Sequence, residues 1–150
     1  MELKIRQVIP LALLYAADDH RIEGRTRFQK LVFLLQEEAL DEDIDTYEFI
    51  EYDYGPFAKE VLDDLERFES EGLVKIEKTT TLGGSKRYNH ELTDEGVRLF
   101  EDLLEQVHLI EVIYDAAEEV IEEYNEKPLF EVLDHVYEEY PQYQEKSVIY

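Results

Sequence analysis

The chain reads as a mainly α-helical domain with a small β-hairpin, an α+β fold, and three observations carry that reading. Apolar residues recur at three- and four-residue steps through most of its length, as amphipathic helices require. Between them, Val74 and Ile76 alternate with Lys75 and Glu77, and Tyr88, His90 and Leu92 alternate with Arg87, Asn89 and Glu91. Leu82-Gly83-Gly84 separates these two alternating runs, so they predict a hairpin. At 150 residues without cysteine, the chain can bury an adequate core with no disulfide or thiolate metal site.

The first helix is expected through Leu11-Ala12-Leu13-Leu14-Tyr15-Ala16-Ala17, with Pro10 near its start. It is apolar almost all round and should be central. Arg21 to Arg25, with Gly24, reads as a connecting turn. Thr26-Arg27-Phe28-Gln29 fits a capping box, which starts a second helix running to about Leu40 with Phe28, Leu31, Val32, Leu35 and Ala39 inward. The cap does not account for Arg25, Arg27 and Lys30. Cations at a helix N-terminus add to its partial positive charge, so in a chain this acidic they are candidates for holding phosphate or a partner's carboxylates. The alternative is pairing with nearby acids.

Asp41 to Asp45 is an acidic linker; it lacks the glycine and the glutamate of a calcium loop. Tyr47, Phe49, Ile50 and Tyr52 suit a strand. Gly55-Pro56 should then turn the chain into a helix near Phe57, whose stripe is Phe57, Val61, Leu62, Leu65 and Phe68 and whose end is Gly72. Strand, helix and hairpin in this order give a winged helix-turn-helix-like domain over residues 1–98. The hairpin is its wing.

Thr93-Asp94-Glu95 opens a long helix, and Leu103, Val107, Ile110, Tyr114, Ala117, Ile121 and Tyr124 repeat at alternating steps of four and three. That spacing makes them dimer-interface candidates, in a C-terminal helical extension over 99–150 that joins 1–98 in one compact unit; packing back on the domain could use the same stripe. A last helix uses Leu129, Val132, Leu133, Val136, Tyr137 and Tyr140 and stops at Pro141.

Arg25 to Gln36, then Tyr54-Gly55-Pro56-Phe57, then Leu92-Thr93-Asp94-Glu95-Gly96 together resemble the archaeal and bacterial YwgA-type proteins and the related SocA-type antitoxin (Panacea) domain. The resemblance spans about residues 8 to 98, and Pro128 to Ile149 is similar to the tail of haloarchaeal members. Phe28 occupies a position where those proteins usually carry leucine. The resemblance implies a binding protein, an antitoxin or an adaptor, with no catalytic activity.

Charge bounds the partners. The chain holds 38 acids against 15 bases, a net charge of −23, and self-repulsion of that size suggests a host with high internal salt. Absence of cysteine and of a membrane-length apolar run fits a soluble cytoplasmic protein with no membrane partner. The four histidines are scattered without metal-ligand spacing; His108 with Glu111 and Asp115 shares one helix face, but no metal, cofactor or catalytic residue is expected. Two functions remain. One is protein binding through an acidic face of Glu60, Asp63, Asp64 and Glu66, as a regulatory homodimer. The other is a transcription regulator reading duplex DNA, which would need Arg25, Arg27 and Lys30 with Lys75, Lys78, Lys86 and Arg87 against the phosphates. Phe57 to Ser70 carries five acids against Lys59 and Arg67, so protein binding is preferred.

Overall fold

A computed structural model describes residues 2–41, 43–144 and 146–148. Glu42 of the acidic linker and Ile149 of the C-terminal tail lie outside the described residues. The fold is mainly helical with small antiparallel sheets.

Helix α1 (Ile5–Ala16) buries every residue from Gln7 to Leu14, as its all-round apolar sequence requires. Pro10 lies inside the helix, deeper than expected. Strand β1 (Arg21–Glu23) follows, where the sequence suggested only a turn. It pairs with the hairpin, Ile22 opposite His90. A three-residue strand is too short to show an alternation, so only its partner identifies it.

Helix α2 (Arg25–Leu34) begins after Gly24 with no side-chain cap, and a wide turn over Leu35–Ala39 extends it. The capping box is therefore not formed: helix entry lies upstream of Thr26, and Gln29 is buried and bonded elsewhere. Strands β2 (Ile50–Tyr52) and β3 (Gly55–Phe57) form a separate two-stranded ribbon, with Tyr52 opposite Gly55. Only the end of the aromatic run is strand. Tyr47 is buried instead, its main chain held on both sides by the Gln36 side chain at 2.9 and 3.0 Å. Gly55 takes the positive φ expected of it, 92°, but Pro56 continues β3, and helix α3 starts at Lys59 (Lys59–Ser70).

Val61, Leu65 and Phe68 form the buried stripe of α3. Its end is a Schellman turn: Leu73 N bonds Phe68 O at 2.9 Å, Gly72 N bonds Glu69 O at 3.0 Å, and Gly72 has φ 79°. Strands β4 (Val74–Thr80) and β5 (Lys86–Leu92) pair as the expected hairpin, with Ile76 opposite His90, and β5 is central in the order β1-β5-β4. Thr93 caps helix α4 (Asp94–Gln106), accepting from Gly96 N at 3.1 Å.

The long C-terminal helix is broken. Val107 is extended (φ −131°, ψ 113°) and separates α4 from α5 (His108–Val120), which a wide turn prolongs to Asn125. The break lets α5 fold back along α1. Ile110, Ala117, Ile121 and Tyr124 are buried inside the chain's own core, Leu103 and Tyr114 partly so, and Val107 is exposed. The proposed dimer stripe is thus occupied by intramolecular packing, because the heptad spacing of one continuous helix is equally that of a segment lying on a central helix. Helix α6 (Leu129–Glu139) ends before Pro141, as expected, and packs on α2. The Glu38 carboxylate receives Tyr124 Oη at 2.6 Å and pairs with His135 Nε2 at 2.8 Å, tying α5 and α6 to the end of α2. No described helix is long and apolar enough to cross a membrane.

Candidate functional site

The first turn of α2 is held against β5 by Gly24 N, which bonds Tyr88 O at 2.9 Å. Arg25 lays its guanidinium 3.6 Å from the Tyr88 ring centroid, and Lys78 Nζ stands 5.1 Å from the same ring. Arg27 points the other way. It donates to the carbonyls of Tyr124 and Asn125 at 3.3 and 3.1 Å, so it caps the end of the α5 extension. Burial lowers its pKa, and the nearby Arg87 lowers it further. Arg25, Arg27, Lys86 and Arg87 line one cleft of about 490 Å³, whose one acid, Glu23, lies 3.7 Å from Arg87.

Lys30 is not part of that group. It is 2% exposed, and its amine donates to Pro56 O at 3.0 Å. Desolvation brings its pKa down to about 7. Beside it Gln29 makes two bonds to Ala58, Nε2 donating to the carbonyl and Oε1 accepting from the amide, both at 3.0 Å. The physical reason lies in residues 55–58. They turn from a two-residue reversal into a helix, so their buried main-chain groups need side-chain partners. Gly55 serves the same join, since a Cβ there would stand 3.3 Å from Lys30 Cε and 3.4 Å from the Tyr137 ring. One signal for this was in the chain: Gln29-Lys30 interrupts an otherwise apolar run from Phe28 to Leu35, which leaves no solvated face for them.

Arg25 and Lys30 do meet at a second cleft of about 290 Å³, walled also by Tyr52, Tyr54 and Phe57. Tyr52 stacks on Phe57 at 4.7 Å, while Tyr52, Tyr54 and neighbouring Ile50 remain exposed. The sequence places Ile50 and Tyr52 in a strand and Tyr54 in the turn before Gly55, and nothing local marks them as surface.

The acidic face is smaller than expected. Asp64 is buried, accepting from Gln7 Nε2 at 3.0 Å and Tyr47 Oη at 2.7 Å, so it is a core group. Burial first, and the Asp64 bond next, push the Tyr47 hydroxyl pKa strongly upward. Glu60 pairs with Arg6 at 2.6 Å, and Asp63 with Lys59 at 3.1 Å. Glu66 is exposed and, with Glu69, lines a cleft of about 380 Å³ against Arg25, Lys78 and His90. His90 is 2% exposed with Nδ1 unpartnered, and burial brings its pKa down to about 4. Lys75 is exposed on the hairpin, away from these clefts. Among the described residues, no group of histidine and acids is arranged to hold a metal ion.

No family model matches the chain, and no curated protein matches it.

Proposed function

We propose that the protein is a non-enzymatic regulatory module that binds another protein, antitoxin-like or adaptor-like, on a winged-helix frame. In that frame α3 would take the place of the recognition helix and the β4–β5 hairpin that of the wing. One observation carries the reading. The solvent side of α3 presents Glu60, Asp63, Glu66 and Glu69, and Leu62 of the same helix lines both the cleft of Glu66 and Glu69 and the cleft of the exposed Tyr52 and Tyr54, a surface that repels phosphate and offers apolar area to a protein. The resemblance to YwgA-type and SocA-type proteins supports the same choice.

The test is capture from the host at molar potassium chloride. A partner retained by the unmodified chain and lost with Glu66→Lys/Glu69→Lys or with Tyr54→Ser is the expected outcome. The convergence of Arg25, Arg27, Lys86 and Arg87 on one cleft favours duplex DNA as the second reading. Duplex retention at that salt, abolished by Arg25→Gln/Lys86→Gln/Arg87→Gln, would replace the first reading with it. Each lost phosphate contact would then flatten the slope of log affinity against log salt by about 0.9. The charge of −23 is read as salt adaptation, and the thermal midpoint should rise from dilute buffer to molar potassium chloride. A flat or falling midpoint removes that explanation.

A further inference from the structure

Of five clefts on the described surface, four have acids in their walls: Glu66 and Glu69, Glu23, Glu51, and the group around Asp18. The cleft over Lys30 has none. Its walls hold two cations, Arg25 and Lys30, in a chain where 38 of 150 residues are acids. Neither cation has an ion-pair partner among the described residues.

A lysine buried without a carboxylate is a costly way to bond a carbonyl. One residue earlier, neutral Gln29 does the same work for Ala58 with two bonds. The ammonium of Lys30 has three hydrogens, and one is taken up by Pro56 O. Arg25 rests one face on Tyr88, which leaves the edge of its guanidinium for a planar acceptor. Tyr52, Tyr54 and Phe57 supply an apolar rim.

We propose that this cleft is a carboxylate-binding site that receives a glutamate side chain of the protein partner, with Lys30 Nζ and the Arg25 guanidinium as its donors. The inference rests on the protein-binding reading and names the chemistry that the partner brings. Glutamate fits because Lys30 lines the cleft yet is only 2% exposed, so a carboxylate on a slender unbranched stem suits it best. A bound carboxylate restores the proton that burial disfavours, so the ligand and the charged amine stabilise each other.

The test uses the full chain with labelled lysines, in molar potassium chloride, and N-acetylglutamate N-methylamide as probe. Saturating probe should move the Lys30 side-chain resonances and raise their titration midpoint by about one pH unit or more. The glutamine analogue should do neither. Arg25→Gln should weaken the probe by about tenfold. Lys30→Met should abolish its binding while the backbone amide spectrum stays that of the folded chain, which separates loss of the site from loss of the fold. Unmoved Lys30 resonances overturn the proposal, and so does an equal response to acetate, which would mark a general anion site. Partner capture that survives Lys30→Met and Arg25→Gln also overturns it while leaving the protein-binding reading standing. That reading falls separately, if the unmodified chain captures no partner.

Discussion

The first two turns of α2 carry similar side chains to opposite ends. Arg25 and Arg27 lie at the helix start, one over the Tyr88 ring and the other on the carbonyls that end the α5 extension. Gln29 and Lys30, a few residues on, are in the core and bond the main chain of Pro56 and Ala58. The same helix meets the central strand β5 at one turn and, at the next, the run of β3 into α3, where the outer edge of β3 has no neighbouring strand among the described residues. Where the neighbour's backbone is paired on both sides, as in β5, Arg25 stays at the surface and keeps hydrogens to offer. Where it is not, Gln29 and Lys30 are drawn in, because an unpaired buried amide or carbonyl costs more than the ordering of a glutamine.

The strongest way to break this comparison is Gln29→Leu, which leaves the Ala58 amide and carbonyl buried and unmet. A loss of about 2–4 kcal/mol in denaturant unfolding is expected. A loss below about 1 kcal/mol would mean that residues 55–58 hold their path without it. Asp64→Ala should cost about 1–3 kcal/mol by stranding the Gln7 amide and Tyr47 hydroxyl. Its removal would show that a residue expected on the surface belongs to the core.

Lys30→Met sharpens the contrast through its pH dependence. Burial disfavours the ammonium in the folded chain, where its pKa is about 7, against about 10.4 in the unfolded chain. Between those values the unfolded chain holds more protons, so stability rises with pH from about 7 to the point where tyrosines ionise. The raised tyrosine pKa values of Tyr15 and Tyr124 then reverse the trend, since the fold disfavours their ionised forms. Lys30→Met should lose that rise, and its neutral-pH midpoint reads the difference between relieved desolvation of the amine and the Pro56 carbonyl left unpaired. A rise that persists in the variant assigns it to another group.

The surface end of the comparison should give the smallest effects. Glu66→Lys/Glu69→Lys ought to change stability by less than about 0.5 kcal/mol per site, measured by the same unfolding curves. A larger loss would make that face structural and weaken its assignment to a partner.

Local chemistry was legible wherever neighbours in sequence settle it. The alternation of Val74 and Ile76 and of Tyr88, His90 and Leu92 predicts the observed hairpin, Gly72 ends α3 with a positive φ, and Thr93 caps α4. The inward stripes of α3 and α6 follow from spacing alone. In each case the controlling partner lies within one turn or across one short loop.

Composition and periodicity by themselves determined that the chain is mainly helical with a hairpin, that α1 is central, and that its charge is strongly negative. Tertiary structure alone decided that Val107 breaks the long helix, that Arg21–Glu23 completes the sheet, and that Asp64 belongs inside while Tyr52 and Tyr54 stay outside. Periodicity reports which residues share a face, and that face's partner lies elsewhere in the chain. Asp64 meets Gln7 across 57 positions and Gln29 meets Ala58 across 29, so no local window contains both halves of either bond.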